Sequence, residues 1–140
     1  MKTTRTIALL ATALFAGGLV NAAHAITPVP GASSPATDTS LRLTVTHGET
    51  PTAGTPRAVL LDCPPDAATT HPDPLTACRL IDSVNGNIGE LDVNPGACTQ
   101  EYDPYTVTAS GTYRGRPLSF HHTYGNHCTL LRATGAVYDF

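Results

Sequence analysis

Lysine is nearly missing from this chain of 140 residues: Lys2 is the only one. Past the first 25 residues the basic complement is six arginines against eleven acids, a net charge of −5 with histidine neutral. A surface of that balance excludes nucleic acid as a partner, because phosphate neutralisation needs clustered cations. It also provides no polybasic patch for a membrane surface. Long apolar runs are scarce too. The longest, Ile7 to Val20, falls short of the roughly 20 residues a spanning helix needs. No C-x-x-C pair occurs, so a zinc or thioredoxin-type motif is unsupported. There is no G-x-S-x-G turn, so Ser83, Ser110 and Ser119 do not read as hydrolase nucleophiles and the chain is not expected to be an enzyme. Internal repeats are absent as well.

The short apolar run has the form of a secretion signal. Lys2 and Arg5 make a positive start, the apolar stretch follows, and Ala23-His24-Ala25 is a small-x-small cleavage site. Residues 1–25 are therefore expected to be removed and the protein to be secreted and extracellular. Residues 26–39, rich in Pro, Ala, Ser and Thr, are expected to form a flexible N-terminal tail, and residues 40–140 a single domain. Export favours disulfides. Four cysteines, Cys63, Cys78, Cys98 and Cys128, allow three pairings.

Leu41 to Thr46 alternates apolar and polar, the period of a half-buried strand, and Arg57 to Cys63 is a second strand that should pair with it antiparallel. Pro64-Pro65 ends it. Asp73-Pro74 opens a helix as N-cap and first residue, with Ala77, Cys78, Ile81 and Val84 on one face and Asn85-Gly86 at its end. Asn87 to Thr99 has few long apolar residues and is expected to be an irregular surface segment. Tyr105–Tyr113 and Leu118–Tyr124 should form a hairpin across Arg114-Gly115-Arg116-Pro117. Asn126 to Ala133 reads as a second short helix closed by Gly135, and Ala136 to Phe140 as a last strand. The sum is an α+β fold: a five-stranded antiparallel sheet with two short helices.

The histidines and tyrosines carry weaker signals. His121 and His122 are adjacent on a strand, so they face opposite sides and do not make a shared metal site. No metal or other cofactor is implied. Most of the five tyrosines should be core or half-buried strand residues; Tyr102 is the exception.

The strand ending in Cys63-Pro64, Ala77-Cys78, Val84-Asn85-Gly86, Cys98 followed by Tyr102-Asp103-Pro104, Gly111-Thr112-Tyr113-Arg114-Gly115, Asn126-His127-Cys128 and Phe140 together carry a resemblance. Over about Leu41 to Phe140 the chain resembles the Streptomyces subtilisin inhibitor family of secreted serine-protease inhibitors. The resemblance implies two disulfides, Cys63–Cys78 and Cys98–Cys128, a homodimer, and a subtilisin-like serine endopeptidase as partner. It places the reactive peptide bond two residues after the third cysteine, at Gln100–Glu101. Ala97, Cys98 and Thr99 would then lie before the bond, with Tyr102 and Asp103 after it, all in contact with the protease. Asn126 would support the loop from behind; on the residues alone it is equally a helix N-cap.

The chemistry of such a loop is consistent with these residue types. A protease binds its substrate extended, and an inhibitor must present that shape already ordered, so that little entropy is lost on binding. A bridge at Cys98 would tie one side of the loop to the core, and Pro104 fixes a φ angle on the other. The family often has Met, Lys or Leu before the bond, preceded by Pro; here stand Gln100 and Thr99. Gln100 is a poor fit for a trypsin pocket and a tolerable one for a broad subtilisin pocket. Two alternatives remain on the same scaffold: a non-inhibitory secreted interaction protein, or a transglutaminase substrate with Gln100 as amine acceptor.

Overall fold

The computed structural model describes residues 38–140; the expected signal peptide and all but the last two residues of the expected tail lie outside them. Four strands form one antiparallel sheet in the order β2-β1-β3-β4. They are β1 (Thr39–His47), β2 (Arg57–Cys63), β3 (Tyr105–Tyr113) and β4 (Arg116–Tyr124), joined by α1 (Pro74–Ser83) and followed by α2 (His127–Thr134). β1 begins at Thr39, a buried residue one place inside the expected tail.

Alternation does what the sequence implies in β1. Thr39, Leu41, Leu43 and Val45 are buried, and Ser40 and Arg42 between them are exposed. Register follows from it: Leu41 lies opposite Leu61 on β2, and Leu43 opposite Ala109 on β3. This face, with Val107 and Tyr113, meets Ala77, Cys78 and Ile81 of α1 and Leu130 of α2 in one core. The opposite face carries exposed Arg42, Ser110 and Ser119. The helices thus cover one side of the sheet only.

α1 begins as expected, with the Asp73 side chain accepting from Thr76 N and proline in the first turn. Its end uses both expected residues. Asn85 (φ 51°) takes the left-handed position, and Gly86 N reaches back to Ile81 O while Asn85 N bonds Asp82 O, the paired bonds of a Schellman ending. The β3–β4 turn is tighter than expected. Tyr113 pairs with Arg116, so Arg114 and Gly115 alone form the loop, both at positive φ, and their twist suits a two-residue hairpin. Arg116 and Pro117 belong to β4, an edge strand, where proline need not break a ladder.

The expected fifth strand does not form. Gly135 (φ 51°) turns the chain out of α2 into a single 3-10 turn, Gly135–Val137. Val137 and Tyr138 are both fully buried, which a strand with one covered face cannot do at consecutive positions. The Val137 carbonyl accepts instead from the Nε2 of buried His71. The segment fills the space against the two helices. A second correction concerns Asn87 to Thr99. Ile88, in a 3-10 turn Ile88–Glu90, and Leu91 are buried in the core, so only the part after Leu91 is a surface segment.

Candidate functional site

From Leu91 to Pro104 the chain has neither helix nor strand. A long irregular stretch in a small domain is usually functional or disordered, and this one is tied down at both ends. On the near side Val93 N and Asn94 N donate to Ala133 O and Arg132 O at the end of α2. Arg132 Nη1 donates to Gly96 O at 3.0 Å. Cys98 is bridged to Cys128 in the first turn of α2, and Cys63 to Cys78 between β2 and α1. On the far side Asp103 N donates to Gly125 O, and Gly48 N to Pro104 O at 2.7 Å.

Between these ties Ala97, Thr99, Gln100, Glu101 and Tyr102 are exposed, with Cys98 and Asp103 half-buried. Behind them stands Asn126, buried at 8% exposure. Its side chain joins two structures. The amide oxygen accepts from Thr129 N at 2.8 Å and caps α2, while Thr129 Oγ1 accepts from Asn126 N to complete a capping box. With the oxygen so engaged, the amide nitrogen faces the loop and donates to Thr99 O at 3.0 Å and Glu101 O at 2.9 Å. The carbonyls on either side of Gln100 are therefore drawn toward the body of the protein, and the Gln100–Glu101 bond is left at the surface. The helix N-cap and the loop contact are two halves of one amide.

Two contacts here had no signal in the sequence. The Tyr102 hydroxyl donates to the Glu49 carboxylate, and His47 Nε2 pairs with Asp103 Oδ1. His47 also stacks on Tyr105 at 4.7 Å, and Tyr105 lies against His127. The Glu49 hydrogen bond is the main reason the Tyr102 phenol is held above its ordinary pKa, with desolvation and the nearby charge adding to it, so the proton stays on the donor.

The remaining candidates do not join this site. His121 and His122 alternate across β4, with His122 between Phe120 and Tyr124. His71 is buried, its Nδ1 accepting from Asp73 N. Among the described residues no three His, Cys, Asp or Glu side chains gather as metal ligands would. A wider recess beside Cys63, Leu75 and Arg114 sits against α1 and shares no residue with the loop.

Comparison with known proteins bears on this arrangement. The family model described as subtilisin inhibitor-like matches residues 37–126, a span that takes in all four strands and ends at Asn126. A subtilase-type protease inhibitor of Streptomyces fradiae is 40% identical over 133 residues, covering 89% of this chain and 93% of that one. The trypsin inhibitor STI2 of Streptomyces longisporus is 42% identical over 125 residues, covering 88% and 85%. Among solved structures, Streptomyces caespitosus sermetstatin, in a complex with Bacillus licheniformis subtilisin, matches with a TM-score of 0.60 and 31% identity over 74% of this chain and 99% of that one.

Proposed function

This chain belongs to the subtilisin inhibitor-like family, and on that premise we propose that it is a secreted inhibitor of subtilisin-like serine proteases with Gln100–Glu101 as its reactive bond. The observation that carries the reading is the Asn126 amide bonded to the carbonyls of Thr99 and Glu101, beside the Cys98–Cys128 bridge. A loop held in this way presents the Gln100–Glu101 bond to the protease serine without first losing conformational entropy. Ala97 to Thr99 occupy the acyl side of the enzyme's cleft, Gln100 its primary pocket, and Glu101 to Asp103 the leaving-group side.

The chemistry belongs to the protease. Its serine oxygen attacks the Gln100 carbonyl, its histidine takes the serine proton and passes it to the leaving Glu101 nitrogen. In an ordinary substrate the amine diffuses away and water completes the reaction. Here the amine is retained. Attack by that amine on the ester re-forms the Gln100–Glu101 bond, breaks the bond to the serine oxygen and returns the proton through the histidine. The protein contributes shape and retention, and none of its own side chains acts as acid, base or nucleophile.

Secretion is supported by the form of residues 1–25, with the domain beginning near β1. The homodimer is carried by family resemblance, and sedimentation at micromolar concentration tests it. The central experiment titrates the purified protein against subtilisin. One-to-one loss of activity, followed on long incubation at mildly acidic pH by a new terminus beginning Glu-Tyr-Asp, is the expected result. An inert protein, or one cut at scattered sites with activity restored, overturns it.

A further inference from the structure

The two sides of the Gln100–Glu101 bond are fastened by different means. The acyl side is held covalently at Cys98 and by α2. The amine side is held by hydrogen bonds alone, and most of these reach a single segment, the last residue of β1 and the loop that follows it. Tyr102 bonds Glu49, Asp103 pairs with His47, and the Pro104 carbonyl accepts from Gly48 N. Once the bond is cut, these contacts and Asn126 decide where the Glu101 amine sits.

The β1–β2 loop is built as a rigid support. The Gly48 carbonyl accepts from Thr106 Oγ1 at 2.7 Å, and that hydroxyl is 2.9 Å from Thr123 Oγ1. Thr123 Oγ1 in turn lies 3.4 Å from the Glu49 carbonyl, and Thr46 Oγ1 donates to Pro51 O at 3.1 Å. Three threonines from β1, β3 and β4 thus pin the backbone that carries His47 and Glu49. A free surface loop would have no need of them. A side chain mounted on a fixed backbone fixes what it binds, and positioning of a nucleophile within reach of its target is worth far more than its presence in solution.

We propose that Glu49 and His47 are positioning residues for religation: acting through Tyr102 and Asp103, they hold the amine side of the cut loop against the acyl-enzyme. Neither touches the reacting atoms. This inference rests on the inhibitor reading above. In the step concerned the Glu101 nitrogen forms its bond to the Gln100 carbonyl carbon, the ester to the protease serine breaks, and the nitrogen's proton goes through the protease histidine to the serine oxygen.

The test uses the full protein and subtilisin. The variants are Glu49→Ala, Tyr102→Phe, their combination, Glu49→Gln, and His47→Phe, which keeps a ring against Tyr105 but removes the contact with Asp103. Glu49, Tyr102 and His47 are exposed, so thermal midpoints should hardly move. The readout is the rate of resealing of purified cut protein by catalytic subtilisin, with the ratio of cut to intact chain at equilibrium. A surface contact of this kind corresponds to a change of roughly two- to five-fold. Glu49→Ala, Tyr102→Phe and His47→Phe should each slow resealing by about that factor. The double variant should be no worse than its singles, and Glu49→Gln, which keeps an acceptor, should recover most of the rate. Resealing at the wild-type rate in the three single variants, or additive losses in the double, overturns the inference while leaving the inhibitor reading intact. A wild-type protein that fails to inhibit subtilisin overturns both.

Discussion

The side-chain amide of Asn126 divides between α2 and the loop, and substitutions can separate the two halves. Asn126→Ala loses the cap, worth about 1 kcal/mol, together with two hydrogen bonds of about 1 kcal/mol each. Inhibition of subtilisin should weaken by roughly 30-fold and the thermal midpoint should fall. Asn126→Asp keeps an oxygen for Thr129 N but has no proton for the carbonyls of Thr99 and Glu101. It should hold more of the midpoint than alanine does and no more of the inhibition. Inhibition kept by Asn126→Asp and lost only in Asn126→Ala would mean that the cap alone matters. Gln100 gives the second prediction at this scale. The trypsin primary pocket carries a carboxylate, so Gln100→Lys should gain trypsin inhibition while keeping inhibition of subtilisin. A variant inert toward trypsin would place the primary residue elsewhere.

At the scale of elements, the sheet depends on how closely β1 and β3 approach. Gly111 lies opposite Leu41 with φ 146°, and a Cβ there would stand 2.1 Å from the Ser40 carbonyl oxygen. That neighbour is backbone in the central strand and cannot rotate away. Gly111→Ala should cost about 2–3 kcal/mol and lower the midpoint by roughly 10 °C or more, read by circular dichroism. These elements were unequally legible beforehand. β1 showed itself because one of its faces is covered and the other wet. α1 showed itself because Asp73-Pro74 and Asn85-Gly86 mark its ends by local stereochemistry. Ala136 to Phe140 misled for a related reason. Its apolar residues signal burial, and burial is the same whether the chain pairs in a sheet or packs beneath helices. The β4 start was placed two residues late because Pro117 reads as a breaker, and its tolerance on an edge strand depends on strand order.

Taken as a whole, the described domain is a sheet covered on one face whose second helix also holds the loop, and its disulfides differ accordingly. In the chain-entropy picture closing 15 residues between Cys63 and Cys78 contributes about 3 kcal/mol, and 30 residues between Cys98 and Cys128 about 3.6 kcal/mol. Stability losses should therefore be similar on replacing either pair by serine, whereas subtilisin inhibition should suffer far more without Cys98–Cys128. Comparable inhibition from both variants would separate loop order from that bridge. The core also sets an alkaline limit. Burial, with Tyr124 near by, pushes the Tyr138 phenol well above its ordinary value of 10.0, and Tyr124 is raised by burial too. A raised folded-state pKa favours the protonated form, so this contribution is full below about pH 10 and is lost as pH rises beyond it. Tyr138 Oη has no hydrogen-bond partner among the described residues. Tyr138→Phe should leave neutral stability equal or up to about 1 kcal/mol higher, and flatten the alkaline loss seen in urea titrations. A variant that melts earlier at pH 7 would contradict this.

The sequence by itself determined what local rules govern. It carried the strand alternation of β1, both helix starts, the left-handed ends, and the cysteine pattern and flanking residues through which the chain resembles its family. It pointed to Gln100–Glu101 as the proposed reactive bond, and to Asn126 behind it, only through that resemblance. Tertiary structure decided the rest: four strands in place of five, Ile88 and Leu91 in the core, and the approach of His47 and Glu49 to Asp103 and Tyr102 across more than fifty residues of chain. Those contacts depend on which strands are neighbours and in what register. Turn chemistry and side-chain period act over a few residues and do not specify that. Only the cooperative packing of the sheet against its helices brings the β1–β2 loop under the segment it supports.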